Sequence, residues 1–192
     1  MPLRLGVLAS GAGGNFAAIA QAIANQSLNA EIKVVVYNNP QAGVATKSAQ
    51  WNIPAVLLDH RQFETREALD QAIIAAMLDY QVDWIIMAGW MRCVTVVLIE
   101  AFPQRILNIH PSLLPSFPGL HAVKQALDAG VTITGCTVHH VVPAVDSGPI
   151  IMQAAVPVMP NDTEKTLHER IHAQEHIIYP RAIILAAMGA SE

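Results

Sequence analysis

Hydrophobic residues in the first half of the chain form short β-branched runs, each followed by a turn and a stretch with helical spacing. Leu3–Ala9 is such a run and predicts a buried strand, whereas Phe16–Ala24 has apolar residues three and four positions apart, which predicts a helix. The pattern predicts further strands at Ile32–Tyr37, Ala55–Leu58, Trp84–Ala88 and Ile106–Ile109, and helices at Val44–Gln50, Thr65–Tyr80 and Val94–Phe102. This alternation is typical of α/β proteins with a parallel sheet.

The pattern changes after the fifth predicted strand. Residues 111–119 contain three prolines and a glycine, which predict an irregular loop with a defined conformation. The chain then returns to regular structure in the order helix, two strands and final helix, at His121–Ala129, Ile133–Val142, Ile150–Val158 and Thr166–Ala187. We expect Asn161 or Asp162 to cap the last helix, and Pro180 to interrupt it.

Together these elements predict an α/β fold, an open, mostly parallel twisted sheet of about seven strands with helices on both faces, in a Rossmann-like arrangement. The two runs in the last third flank the turn Pro143–Pro149 and are expected to add antiparallel strands beside the parallel part. Neither a repeat nor a linker divides the chain. We therefore expect a single domain over residues 1–192.

Composition and charge mainly exclude classes of binding partner. The 192 residues are 53% hydrophobic and carry 11 basic and 15 acidic side chains, for a net charge of -4 without a basic cluster. Nucleic-acid binding requires a basic patch and a membrane span requires about 18 consecutive apolar residues, so we expect neither partner. The first residues predict a strand rather than a cleaved signal, which favours a cytoplasmic location. The sequence leaves a monomer and a homodimer both open.

Cysteine and histidine positions argue against a disulfide framework and against a metal site. Cys93 and Cys136 form neither a zinc-binding pair nor a set of bridges, and we expect two reduced thiols in or near the core. His139 and His140 are adjacent on a predicted strand, so their side chains point to opposite faces and cannot bind one metal. We therefore predict that no metal is bound.

The segment Ser10-Gly-Ala-Gly-Gly-Asn15 joins the first predicted strand to the first predicted helix. Free backbone amides at a helix start, together with the helix dipole, bind anions, and a phosphate is the expected ligand. The dinucleotide-binding motif is incomplete, because Phe16 stands at the third glycine position and Asn38-Asn39 replace the acid after the second strand. A tight turn without a ligand is the alternative.

Asn108 and His110 lie two positions apart at the end of the fifth predicted strand, so their side chains point to the same side. Ligands of open α/β sheets bind at the carboxyl ends of strands, where an amide and an imidazole can stabilise an oxyanion. A buried structural histidine is the alternative. Asp146 lies in a Gly/Pro turn, and the residues alone favour a turn-forming role for it.

Five segments, taken in order, resemble the folate-dependent phosphoribosylglycinamide formyltransferase family. They are Ser10–Asn15, Ala88-Gly-Trp-Met-Arg92, Asn108-Ile-His-Pro-Ser-Leu-Leu-Pro115, Pro118-Gly-Leu-His121 and Val145-Asp-Ser-Gly-Pro149. The resemblance implies an enzyme of purine biosynthesis that transfers the formyl group of 10-formyltetrahydrofolate, its co-substrate, to the amino group of glycinamide ribonucleotide. Both partners are small molecules.

The resemblance also assigns residues to this reaction. The catalytic residues would be Asn108, His110 and Asp146. The ribonucleotide contacts would be Gly13, Gly14 and Asn15 at the phosphate, with Glu175. The folate contacts would be Arg66, Met91, Arg92, Cys93, Val94, Asn108, Val142, Pro143, Ala144, Val145 and Asp146. The family also has a cis peptide bond, which falls before Pro115 here.

The expected chemistry explains these residue types. An amine attacks the formyl carbon and creates a tetrahedral oxyanion, which Asn108 and a protonated His110 would stabilise by hydrogen bonds. Asp146 would keep His110 protonated and help to move the amine proton. Without a nucleophile or a metal motif, we expect direct transfer rather than a formyl-enzyme.

Three other functions remain as alternatives. A formyltetrahydrofolate hydrolase shares the Asn, His and Asp, but normally has a regulatory domain before the catalytic one, and a first strand at Leu3 leaves no room for it. A methionyl-tRNA formyltransferase adds a basic RNA-binding domain and usually has Arg-Gly in place of Pro118-Gly119. A nucleotide-binding module without catalysis is the alternative from another class.

Overall fold

A computed structural model of the protein describes residues 1–190. The chain divides into two units, one spanning Met1–Leu107 and a second beginning at Asn108. The strands are β1 (Leu3–Ala9), β2 (Ala30–Tyr37), β3 (Ala55–Leu57), β4 (Trp84–Met87), β5 (Ile106–His110), β6 (Ile133–His140) and β7 (Ile150–Pro157). The helices are α1 (Gly14–Ala24), α2 (Val44–Gln50), α3 (Arg66–Asp79), α4 (Val96–Ala101), α5 (Ala122–Asp128) and α6 (Glu164–Gly189).

The strands form one sheet in the order β3-β2-β1-β4-β5-β6-β7. The pairs β1–β2, β1–β4 and β2–β3 are parallel, and β6–β7 is antiparallel. The register of β6 against β7 shifts between Val138 and His139, which is the geometry of a β-bulge. This topology confirms the expected fold class, including the antiparallel strands of the last third.

The central strands of the first unit are apolar on both faces. Leu5, Val7 and Leu8 of β1 are fully buried, as are Ile85 and Ile86 of β4. Parallel strands are covered on both sides, so they appear in a sequence as continuous apolar runs rather than as alternating ones. The end of this buried sheet positions the loops that follow β1, β2 and β4.

The last helix differs from the prediction at two places. Its N-cap is Thr163 rather than Asn161 or Asp162, because the Thr163 Oγ1 accepts a hydrogen bond from the Thr166 amide at 3.2 Å. The Thr166 Oγ1 accepts one in turn from the Thr163 amide at 2.9 Å, which completes a capping box. The predicted interruption near Pro180 is wrong, because α6 continues through this residue to Gly189.

Loss of the capping box gives a first testable expectation. We expect Thr163→Ala to lower the free energy of unfolding by about 1 kcal/mol, because the helix start loses the side-chain acceptor for an orphan amide. Denaturant unfolding measures the change. Thr163→Ser keeps the hydroxyl and serves as the control, and an alanine variant with the stability of the serine variant would contradict this assignment of the cap.

None of the helices within residues 1–190 combines the length and the apolar character needed to cross a membrane.

Candidate active site

Asn108 and His110 occupy alternate positions at the carboxyl end of β5. His110 is 6% exposed and Asn108 is half-buried. The strand ends at His110, and the loop that follows contains the cis peptide bond before Pro115 that the resemblance implied. The two side chains therefore lie on the same face of the strand, as the alternation predicts.

Asp146 brings these residues together. Its carboxylate lies in the connection between β6 and β7, where the backbone has a left-handed φ of 51°. The Asp146 Oδ2 lies 3.3 Å from the His110 Nδ1 and accepts a hydrogen bond from the Gly119 amide at 2.8 Å. The side chain is only 9% exposed, so the ion pair with His110 is shielded from water. A turn-forming role alone does not account for these contacts.

His139 completes the cluster, and sequence reasoning did not identify it as a site residue. Its Nε2 lies 3.6 Å from the Asp146 Oδ1 and 3.2 Å from the Asn108 Nδ2. The Nδ1 lies 2.9 Å from the His140 carbonyl, which can only accept, so this nitrogen carries a proton. The alternation of side chains along a strand predicts that one of the two adjacent histidines points inward, but it does not predict which one.

Both nitrogens of His110 face acceptors. The Nε2 lies 2.9 Å from the Phe117 carbonyl oxygen, and the Nδ1 faces the Asp146 carboxylate. A neutral imidazole has a single N–H and can satisfy only one of these acceptors, whereas the protonated ring satisfies both. The geometry is therefore complementary to a protonated His110 held by an ionised Asp146.

The surroundings of Asp146 favour its ionised form. Burial by itself raises the pKa of this carboxyl group, but the His139 side chain, the hydrogen bond from the Gly119 amide and positive charge on the nearby imidazoles together lower it below the usual value of an aspartate. Asp146 is consequently a carboxylate at neutral pH. It can stabilise positive charge on either neighbouring imidazole.

The glycine loop of the first unit ends at the start of α1, as the sequence predicts. Gly13 is the N-cap with a left-handed φ of 73°, and α1 begins at Gly14 without an acidic residue in its first turn. Asn15 is 8% exposed. The amides of a helix's first turn, with the positive end of the helix dipole, offer a site for an anion.

The loop geometry predicts different results for two glycine substitutions. We expect Gly13→Ala to destabilise the protein by about 1–2 kcal/mol from its left-handed conformation alone, and the new Cβ would also lie 2.7 Å from the Val44 Cγ2. Gly11→Ala is the matched control, because nothing lies within 4 Å of its Cβ position and its φ is not positive. Denaturant unfolding compares them, and equal stabilities would contradict the role of Gly13.

Four of the five proposed folate contacts of the first unit, Met91–Val94, lie on a segment that is anchored at both ends. The Met91 amide donates to the Ser10 Oγ at 2.9 Å. The Thr95 amide donates to the Asp70 Oδ2 at 2.6 Å, and Asp70 is 2% exposed. Met91, Arg92 and Cys93 between these anchors are exposed, Val94 is half-buried, and Arg66 is exposed at the first position of α3.

The two cysteines have different surroundings. Cys136 is buried, and burial, with the nearby charge of Glu175, raises the pKa of its thiol to about 12. Cys93 is exposed, so the expectation that it lies in or near the core is wrong. It belongs to the open segment that follows β4, where the strand leaves the buried sheet.

The other expected contacts lie in the second unit. Val142 is half-buried, and Pro143, Ala144 and Val145 are exposed on the connection that carries Asp146. Glu175 is 3% exposed on α6, and its Oε2 lies 3.5 Å from the His172 Nε2.

A His-Glu-x-x-His spacing, known from helical zinc sites, occurs on α6 at His168–His172, and the sequence-based expectation of no metal did not consider it. The two rings lie 4.2 Å apart between centroids. Within residues 1–190, no group of three or more His, Cys, Asp or Glu side chains is placed to hold a metal ion.

Comparisons with known proteins give consistent matches. Residues 3–183 match the family described as formyl transferase. The chain is 41% identical over 180 residues to the phosphoribosylglycinamide formyltransferase of Bacillus subtilis (strain 168), covering 94% of this chain and 92% of that one. It is 45% identical over 189 residues to the trifunctional purine biosynthetic protein adenosine-3 of Drosophila pseudoobscura pseudoobscura, covering 97% of this chain but only 14% of that protein.

Solved structures of known proteins are also similar to this chain. The crystal structure of glycinamide ribonucleotide transformylase 1 from Symbiobacterium toebii has a TM-score of 0.96 and 45% identity, covering 98% of this chain and 89% of that one. The phosphoribosylglycinamide formyltransferase from Bacillus halodurans has a TM-score of 0.91 and 40% identity, covering 94% and 93%.

Proposed function

The chain belongs to the formyl transferase family, and on that premise we propose that it transfers the formyl group of 10-formyltetrahydrofolate to the amino group of glycinamide ribonucleotide. The observation that carries this proposal is the buried Asp146 carboxylate between His110 and His139, with Asn108 on the adjacent strand. Such a cluster can stabilise an oxyanion and move protons without a metal or a covalent intermediate.

Asn108 supplies the hydrogen bond to the oxyanion. In neutral His139 the Nδ1 carries the proton, so the Nε2 accepts from one N–H of the Asn108 amide. The second N–H of that amide is then available to the oxygen of the tetrahedral intermediate. His110 becomes the other donor when its Nε2 exchanges the Phe117 carbonyl for the substrate, a rearrangement that substrate binding can produce.

The reaction balances as a direct transfer. A bond forms between the amine nitrogen and the formyl carbon, and the bond from that carbon to the folate nitrogen breaks. The amine loses a proton to Asp146, directly or through water, and the folate nitrogen gains one from protonated His110. The enzyme ends with a proton on Asp146 and a neutral His110, and passage of the proton between them restores the starting state.

The family resemblance supplies the proposed binding contacts. Gly13, Gly14 and Asn15 hold the ribonucleotide phosphate, and Glu175 contacts the ribonucleotide. The folate contacts are Arg66, Met91–Val94, Asn108 and Val142–Asp146. We further propose a single catalytic domain, and the free thiols favour a cytoplasmic location.

Two parallel assays test the function. The purified protein is mixed with a 10-formyl folate whose deformylation changes its absorbance, once with glycinamide ribonucleotide and once without it. We expect formyl release only with the ribonucleotide, and the appearance of formylglycinamide ribonucleotide by mass spectrometry. Equal release in both samples would indicate a hydrolase, and no release from the folded protein would refute formyl transfer between these substrates.

A further inference from the structure

Residues 111–119, which we call the β5 loop, carry backbone groups that contact two of the proposed catalytic residues. The Phe117 carbonyl oxygen lies 2.9 Å from the His110 Nε2, and the Gly119 amide donates to the Asp146 Oδ2 at 2.8 Å. The same amide helps to lower the pKa of Asp146, so the loop affects the charge of the site as well as its shape. The β5 loop contains neither a helix nor a strand, so its backbone groups need hydrogen-bond partners from elsewhere.

Thr137 of β6 binds the β5 loop through its hydroxyl group. The hydroxyl donates to the Ser112 carbonyl at 2.7 Å and accepts from the Leu114 amide at 3.1 Å. It also accepts from the Gln153 side-chain amide at 2.9 Å. A hydroxyl group has one proton to donate and two lone pairs that accept, so the buried Thr137 uses its full hydrogen-bonding capacity. A buried network in which every polar group has a partner is rigid.

Gln153 of β7 binds the same loop from the last strand of the sheet. It pairs with Thr137 in the register of β6 and β7, and its Nε2 donates to the Leu114 carbonyl at 2.9 Å. Both backbone groups of Leu114 are therefore bound by side chains, the amide by Thr137 and the carbonyl by Gln153. Leu114 is 5% exposed, so the loss of either partner would leave a buried backbone group without its hydrogen bond, which is unfavourable.

Further hydrogen bonds extend this constraint along the loop toward the proposed active site. The hydroxyl of the buried Ser112 donates to the Ser116 carbonyl at 2.6 Å, and the Ser116 amide donates to the Leu113 carbonyl at 3.0 Å. Phe117 follows directly, with a left-handed φ of 55°. In a residue other than glycine this conformation is strained, and it persists only where the surrounding structure fixes it. The hydrogen-bonded segment before Phe117 provides that constraint.

Thr137 also belongs to the same face of β6 as the catalytic cluster, because His139 lies two positions after it. We propose that Thr137 and Gln153 are positioning residues for formyl transfer, because they fix the β5 loop against the two catalytic residues that it contacts. This inference rests on the proposed function. Both side chains act through the loop rather than on the substrates, so their loss should affect kcat more than substrate binding.

Two threonines of β6 provide a matched test. Thr137→Val removes the hydroxyl and keeps the shape of the side chain, and Thr134→Val makes the same change at a residue that is 1% exposed. Within residues 1–190, the Thr134 hydroxyl has no hydrogen-bond partner. We expect Thr137→Val to lower kcat about 10–100-fold, as for a catalytic group displaced by about 1 Å, and to change KM for the ribonucleotide less than about twofold. Thr134→Val should change neither constant, and Thr137→Ser, which keeps the hydroxyl, should restore most of kcat.

Nitrogen NMR of the imidazole rings tests the positioning without turnover. We expect the His110 Nε2 resonance to shift in Thr137→Val, because the carbonyl group that faces this nitrogen moves with the loop, and to stay in place in Thr134→Val. Gln153→Ala is a second variant, at an exposed position of β7, which keeps the test possible if Thr137→Val does not fold. We expect it to lower kcat by about threefold to tenfold and to shift the same resonance.

The combined results distinguish the positioning role from a general structural one. In an active enzyme the proposal requires both the loss of kcat and the shift of the His110 resonance, and either one alone would overturn it. Equal losses of kcat in Thr137→Val and Thr134→Val would also overturn it, because they would show a general effect of valine in β6. If the wild-type protein does not transfer the formyl group but the resonance shifts as expected, the proposed function is refuted and the control of His110 by the loop remains.

Discussion

His110→Ala is expected to lower kcat by about 10³-fold, since the variant loses one oxyanion donor and the acid that protonates the leaving nitrogen. The imidazole is buried between a carboxylate and a carbonyl oxygen, and the alanine side chain has no group that can donate a proton or a hydrogen bond there. KM for the ribonucleotide should change little, because the phosphate is assigned to the glycine loop.

Steady-state kinetics with both substrates measures this effect, and circular dichroism with thermal unfolding shows whether the variant is folded. His168→Ala is the control, because it removes an exposed imidazole from α6 without touching the cluster. A folded His110→Ala protein with kcat within threefold of the wild type would refute the catalytic role of His110.

Asp146→Asn is expected to lower kcat by about 10²–10⁴-fold, because the site loses the negative charge that pairs with His110 and the group that accepts the amine proton. The amide has nearly the same shape and retains an oxygen that can accept from the Gly119 amide, so the loop should keep its conformation. The double variant with His110→Ala should lose little more activity than the more damaged single variant, because the two residues act as one unit. Additive losses would show that they act separately.

The lowered pKa of Asp146 adds a stability measurement to this prediction. A carboxyl group whose pKa is lower in the folded than in the unfolded state stabilises the fold above its unfolded value of about 4, and this contribution disappears as the pH falls through the folded value. Between about pH 5 and 7, the wild type should therefore exceed Asp146→Asn in free energy of unfolding, and the difference should shrink below about pH 4. A difference that does not depend on pH would contradict the assigned ionisation.

The strands and their order of appearance were predictable because parallel sheets require continuous apolar runs, and these are visible in β1, β2 and β4. Helix ends were less predictable where several capping residues compete. Asn161, Asp162 and Thr163 can all cap a helix, and only the reciprocal bonds with Thr166 select Thr163. Pro180 lies inside α6, and the helix continues on both sides of it. The rule that proline interrupts a helix considers only the local sequence, and it gave the wrong prediction here.

The candidate site was predictable in part for a similar reason. Alternation along β5 placed Asn108 and His110 on one face, but the contact with Asp146 joins residues 36 positions apart (146 minus 110). His139 was missed because strand alternation leaves the choice between it and His140 open, and the register shift between Val138 and His139 lies beyond any local pattern. The family resemblance, rather than residue spacing, directed attention to Asp146.

Ser10 has a consequence for how the two substrates influence each other. Its amide donates to the Gly89 carbonyl at 3.0 Å, and its hydroxyl accepts from Met91, so one residue joins the glycine loop to the segment after β4. If the ribonucleotide phosphate and the folate are held by these two loops, a shift of either loop on binding is transmitted to the other. Thermodynamic reciprocity then requires each substrate to change the protein's affinity for the other substrate by the same factor.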